Sequence, residues 1–248
     1  MANWITHLMI ADRLLQVCPG LDRRGFCVGN IGPDCNIENE DWTAFIPPRE
    51  VTHWMRDGKK DLIGAESFFQ SYALPCVHEP ASREKLSFML GYYVHLIADV
   101  AYPAFVHDEE RVGRMWNRFL HDERLRSDAQ TLSPSWEHAK RLVSKEARMR
   151  ELSLIEAEYL QANPESGFLT EIIPLKMFPD YLDYLLPGSI TRKVRIMAQI
   201  PKPDPSLPDP IVITREELYG YVQRTAAQCM ELLRNSAAAA FLSVAENE

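Results

Sequence analysis

The stretch Gly91-Tyr92-Tyr93-Val94-His95-Leu96-Ile97-Ala98-Asp99-Val100-Ala101-Tyr102-Pro103 sets the tightest limit on what this chain can fold into. It is almost wholly apolar, yet it carries an imidazole and a carboxylate four residues apart. On an α-helix that spacing puts both side chains on one face, one turn apart. Neither group is cheap to bury alone, because a buried charge needs a partner or a metal. Two readings stand at this level: a single His–Asp hydrogen bond in the core, or two ligands of a divalent cation. Ser82 offers an N-cap upstream. Leu86, Met89, Leu90, Tyr93, Leu96, Ile97 and Val100 then spread apolar surface around most of the helix. A helix of that kind belongs at the centre of a bundle. Pro103 is expected to end it.

The rest of the chain supplies packing partners at helical spacing. Residues 4–17 read as an amphipathic helix, with Thr6 as its cap and Pro19-Gly20 as its stop. A second helix is expected from Pro48 and Glu50 to Gly58, and a third from Asp61 to Leu74, closed by Pro75. Helical spacing returns over 108–126 and again from Ser133 to about Leu160. Thr214 and Glu217 form a capping-box spacing that opens a last helix. Between these lie residues 25–48, rich in Gly, Asn, Asp and Pro, expected as one long irregular loop. Loops of that length are uncommon in compact domains and are often functional. Residues 168–186 allow one or two short helices, and 199–210 read as a proline-rich extended connection. The expected fold is all-α: a multi-helix bundle around a central buried helix at about 82–101. A single domain is expected over 1–248, with a core in about 1–107 and a more variable helical extension over about 165–248. A composition 46% hydrophobic and 25% charged can fill such a core.

The formal net charge of −8 argues against a broad nucleic-acid-binding face. It leaves room for a nucleotide or phosphate ester at a local cation site. The start Met-Ala-Asn-Trp-Ile-Thr-His has no basic segment followed by an apolar one, so no secretory signal is expected. No run is expected to span a bilayer. The five cysteines show no paired CxxC spacing, which fits a reduced, cytoplasmic setting better than a disulfide framework.

Four pieces stand out as chemistry: His7, Asp34, His53 and the pair His95/Asp99. Each lies at a helix end, in a loop or on an otherwise apolar face. His and Asp without thiolates suit zinc in a catalytic site, and also manganese or iron.

The order of these pieces resembles the zinc-dependent phospholipase C family, within the wider group that includes P1-type nucleases. The resemblance covers about the first 107 residues. It rests on Thr6-His7-Leu8-Met9-Ile10-Ala11, Gly32-Pro33-Asp34, Thr52-His53-Trp54, and Gly91 through Asp99 followed by Pro103. It implies a central helix whose His95 and Asp99 bind zinc, with His7, Asp34 and His53 in the same cluster. The chain also departs from the pattern. Secreted members use the amino group of an N-terminal Trp as a ligand, whereas Trp4 here stands three residues before His7. The family has a His six residues after the helix Asp, where this chain has Phe105, with His107 two residues on. A later His and Glu one turn apart have no clean match: His121 precedes Leu125 and His138 precedes Leu142 at that spacing. His107 is the candidate substitute ligand.

The resemblance implies metal-assisted hydrolysis of a phosphoester with zinc, one to three ions, manganese or iron being alternatives. Asp34, from a loop at the site, is the candidate general base. The substrate class comprises a phospholipid head group, a soluble phosphomonoester or diester, or a nucleotide, with no extended nucleic acid. A second reading is a metal-stabilised helical binding or scaffold protein without catalysis. A third is a structural all-α domain with satisfied core histidines.

Overall fold

The computed structural model describes residues 3–55, 62–78, 82–202, 206 and 208–242. Gly58 and Asp61, named above as helix limits, lie outside the described residues. The chain is 66% helical, with 13 helices and almost no strand among the described residues, so the all-α bundle is what forms. It divides into two compact units. One comprises Met1–Val100, Pro164–Gln199 and Gln223–Glu248, and the other Ala101–Asn163 and Ile200–Val222.

In the first unit α1 (Trp4–Val17) starts from Asn3 rather than Thr6, which is buried inside the helix. The expected long loop begins instead as α2 (Arg23–Gly29). Asp22 caps it, its carboxylate accepting from the Gly25 amide at 2.7 Å. The glycines that suggested turns serve a close helix contact. A Cβ on Gly29 would come within 2.1 Å of the Phe88 carbonyl oxygen, and one on Gly91 within 2.2 Å of that of Phe26. Both Phe88 and Gly91 belong to α6 (Arg83–His107). Every residue from Leu86 to Asp99 is buried, as a helix apolar on all sides requires. Its length and apolarity match those of a membrane-crossing segment, but most of that stretch is buried inside the fold.

Between α2 and α6 lie a 3₁₀ turn (Gly32–Asp34), a hairpin of β1 (Ile37–Glu38) and β2 (Phe45–Ile46), and α3 (Arg49–Thr52). Next come α4 (Leu62–Phe68), a π turn (Phe69–Ala73) and α5 (Leu74–His78). The helical path therefore continues past Pro75. Pro75 sits where the π turn passes into α5, and its missing N–H costs one backbone bond there.

Ala101–His107, the end of α6, begins the second unit. Pro103 lies inside the helix and does not end it. It removes only the hydrogen bond that would return to the Asp99 carbonyl. There follow α7 (Glu109–His121), α8 (Arg126–Ala129), α9 (Trp136–Leu142) and α10 (Lys145–Ala162). The single helix expected from Ser133 is thus two. Ser135 caps α9 and Ser144 caps α10, each hydroxyl accepting from an amide three residues on. Phe105 packs in this unit, stacked on Tyr221 at 4.9 Å and lying under the Arg111 guanidinium at 4.9 Å. Buried Arg111 donates to the carbonyls of Val106 (3.1 Å) and Val212 (2.6 Å).

The expected short helices over 168–186 reduce to a π turn (Phe168–Ile172). The chain then forms α11 (Ser189–Met197), α12 (Arg215–Arg234) and α13 (Ala239–Leu242). The Thr214/Glu217 capping box closes reciprocally, each amide reaching the other side chain at 3.3 Å. Glu38 ties the hairpin to α11. Its carboxylate accepts from Arg192 at 2.7 Å and from buried Lys193. Those bonds pull its pKa down to about 2.

Candidate metal centre

Four separate pieces of the first unit converge on one point. His7 comes from the first turn of α1, its amide donating to the Asn3 carbonyl at 3.1 Å. Asp34 closes the 3₁₀ turn. Gly32 lets that turn lie against α6, for a Cβ there would sit 2.7 Å from the Tyr92 ring. His53 is the C-cap of α3. The next residue, Trp54, holds a left-handed φ of 52°, which stops the helix directly after the imidazole. That unusual backbone for a bulky residue is fixed by its ring, which stands edge-on to Phe68 and Tyr72 at 5.7 and 5.9 Å. His95 and Asp99 come from the buried middle of α6.

Asp99 is the hub. His7 Nε2 lies 3.8 Å from its Oδ1, and the Nε2 atoms of His53 and His95 each lie 3.6 Å from its Oδ2. His53 Nε2 is also 3.3 Å from Asp34 Oδ1. The rings of His7 and His95 stack in parallel, 3.8 Å apart. Two groups of ligand atoms result, His7/His95/Asp99 and Asp34/His53/His95, each within 4.8 Å. They share His95.

A neighbouring carbonyl fixes which nitrogen of His95 carries the proton. His95 Nδ1 donates to the Asn30 carbonyl at 2.7 Å. The Thr52 hydroxyl lies 3.0 Å from His53 Nδ1 in a hydrogen bond that holds the ring, with the Arg49 carbonyl 3.4 Å from the same hydroxyl. In His95, Nε2 thereby keeps its lone pair, aimed at the Asp99 carboxylate, the arrangement that metal-ligating histidines use. For His95 this leaves a buried nitrogen with no hydrogen-bond partner among the described residues, 3.6 Å from a buried carboxylate oxygen of Asp99. Such a pair is costly unless a cation lies at that point.

The charge states agree. Burial, and then the neighbouring His7, push His95 well below the ordinary imidazole value, so it is neutral. Burial alone would raise Asp34; its hydrogen bond with His53 and the nearby histidines outweigh that and hold it well below the ordinary carboxylate range. Neutral imidazoles and ionised carboxylates are what a divalent cation requires of its ligands. The donor set has nitrogen and oxygen and no thiolate, which fits zinc and also manganese or iron. Cys35 is buried beside Asp34, but its thiol donates to the Ile31 carbonyl at 3.2 Å.

The five sequence candidates His7, Asp34, His53, His95 and Asp99 are therefore brought together. His107 is exposed on the last turn of α6 and belongs to neither group. His121 and His138 bond the carbonyls of Asn117 and Ser133, each at 2.7 Å. Three further contacts had no clear sequence signal. The Trp4 indole donates to Asp34 Oδ2 at 3.2 Å, the Arg49 guanidinium donates to Asp34 Oδ1 at 3.3 Å, and the Asn30 carbonyl orients His95. Trp4 thus meets the site through its side chain. A hint for Arg49 existed in its position one helical turn before His53.

A family model described as zinc-dependent phospholipase C matches residues 6–135, just over half of the chain. No curated protein and no solved structure gave a significant match.

Proposed function

The chain belongs to the zinc-dependent phospholipase C family, and from that premise we propose that it hydrolyses a phosphoester at the His7/Asp34/His53/His95/Asp99 cluster. The observation that carries this reading is the buried His95 Nε2, which has no hydrogen-bond partner among the described residues and faces Asp99 Oδ2 at 3.6 Å. The side chains of His7, Asp34, His53, His95 and Asp99 would hold the zinc. Bound zinc supplies Lewis acidity, which acidifies water and offsets charge on a phosphoryl oxygen.

The protein's own residues do the rest. Asn30 holds His95 in one tautomer and Thr52 holds the His53 ring in place, so both rings are oriented before any ligand arrives. Asp34 is the one cluster member with substantial exposure, at 25% of its side chain. It meets the incoming water, orients it and accepts its proton. The buried wall formed by Asp99, His95 and His7 keeps bulk water from the far side. Soluble phosphomonoesters and diesters, nucleotides and lipid head groups all present the phosphoryl group this arrangement takes.

The test is hydrolysis of bis-p-nitrophenyl phosphate and of p-nitrophenyl phosphate, with and without added zinc or manganese. Zinc-dependent turnover that Asp34→Asn reduces by about a hundredfold or more supports the proposal. A zinc-loaded protein that turns over neither compound favours the second reading, a metal-stabilised binding protein. One observation favours that alternative: Phe105, at the position where the family has a histidine, is committed to stacking on Tyr221.

A further inference from the structure

The cluster meets solvent at one end. The side chains of His7, His53, His95 and Asp99 are at most 3% exposed, whereas Asp34 is 25% exposed and Arg49 beside it 31%. Any substrate reaching the cluster by that end passes the guanidinium. Arg49 opens α3 and His53 closes it, the His53 amide donating to the Arg49 carbonyl at 2.8 Å. One short helix therefore carries both a candidate ligand and a cation, at a fixed offset.

In this structure the guanidinium donates to Asp34 Oδ1, the oxygen that also lies 3.3 Å from His53 Nε2. A cation placed against a metal ligand opposes metal binding, so affinity for metal does not explain why it is there. An anion does. A planar guanidinium matches the geometry of phosphoryl oxygens, and such charge-assisted bonds are among the stronger ones.

We infer that Arg49 is the phosphoryl-anchoring residue of this site, moving its hydrogen bond from Asp34 to a non-bridging oxygen of the bound phosphoester. The inference rests on the phosphoesterase reading above. Once Asp34 is engaged with zinc, the exchange keeps the guanidinium paired and gives the substrate a second point of attachment. Arg49 then selects for an accessible, charged phosphoryl group and contributes mainly to binding.

The test compares wild type, Arg49→Ala and Arg49→Lys as zinc-loaded full-length protein. Inorganic phosphate is titrated calorimetrically, zinc affinity is measured by competition with a chelator, and KM and kcat are read on bis-p-nitrophenyl phosphate. Arg49→Ala is expected to weaken phosphate binding and raise KM by about tenfold or more. It should hold zinc at least as tightly as wild type, and Arg49→Lys should recover part of the phosphate affinity. Phosphate affinity within twofold of wild type, or zinc affinity that falls in Arg49→Ala, overturns the inference and leaves Arg49 as a brace for Asp34. If Arg49→Ala does not fold, Arg49→Lys and Arg49→Gln give the same comparison. A wild type that binds no zinc, or binds it and hydrolyses nothing, overturns the phosphoesterase reading itself and is a separate result.

Discussion

At His53 and His95 the fold fixes where each ring lies, and at His95 also which nitrogen carries the proton. The Asn30 carbonyl takes the His95 Nδ1 proton, the Thr52 hydroxyl is hydrogen-bonded to His53 Nδ1, and both Nε2 atoms are left aimed inward. Partners of this kind typically account for 10–100-fold in metal affinity. Thr52→Val keeps the shape of a fully buried side chain and removes the hydrogen-bond partner of His53 Nδ1. It should weaken zinc binding by about tenfold or more, with far-UV dichroism unchanged; unchanged zinc affinity would mean the hydroxyl does not orient the ring. The ligands themselves were legible in the sequence because a His or Asp on an apolar face has few ways to be satisfied. Asn30 was not, since it acts through a backbone carbonyl that every residue owns. Trp4 and Arg49 were not, since their reach to Asp34 depends on how a turn and two helices meet.

The elements around the site are set by close approach. Gly29 and Gly91 let α2 and α6 touch backbone to backbone, with no room for a methyl group. Gly91→Ala should destabilise the protein by roughly 1–3 kcal/mol or more, read as a shift of the urea midpoint. Gly113, inside α7, has nothing within 4 Å of an added Cβ, and Gly113→Ala should instead stabilise by about 0.4–1 kcal/mol. Equal effects at the two positions would contradict the packing account. The same contact explains why residues 25–29 were expected as loop: a glycine in a turn and a glycine under a crossing helix look alike in one sequence. The helix α11 went unread for a related reason. It buries Lys193, which reads as a surface residue until Glu38 is seen beside it. Glu38 has its pKa lowered to about 2 from an ordinary 4.5, so its ion pairs add stability above that ordinary value. That stability is lost as pH falls through about 2. The stability gap between wild type and Glu38→Gln should thus be full at pH 6 and shrink steadily below about pH 4.5.

For the molecule as a whole, periodicity and capping gave the all-α class and most of the helices, because burial of α6 demands helical partners on every side. The helix ends were less legible: Pro75 and Pro103 punctuate the sequence but do not stop the chain, since each costs at most one backbone bond. Metal and stability are linked in this account. A cation that binds only the folded chain stabilises it by about 4 kcal/mol when present at a thousand times its dissociation constant. Removing it leaves His95 Nε2 buried against Asp99 without compensation. The chain should therefore melt at a lower temperature in excess chelator and recover on adding zinc, whereas a structural domain with satisfied histidines would show no change. The most direct test of the central claim is the zinc content, by mass spectrometry, of protein purified without chelator, wild type beside His95→Ala. Stoichiometric zinc is expected in the wild type, with its loss in a folded His95→Ala protein. No stoichiometric transition metal in the wild type, or an undiminished content in the variant, would contradict that claim.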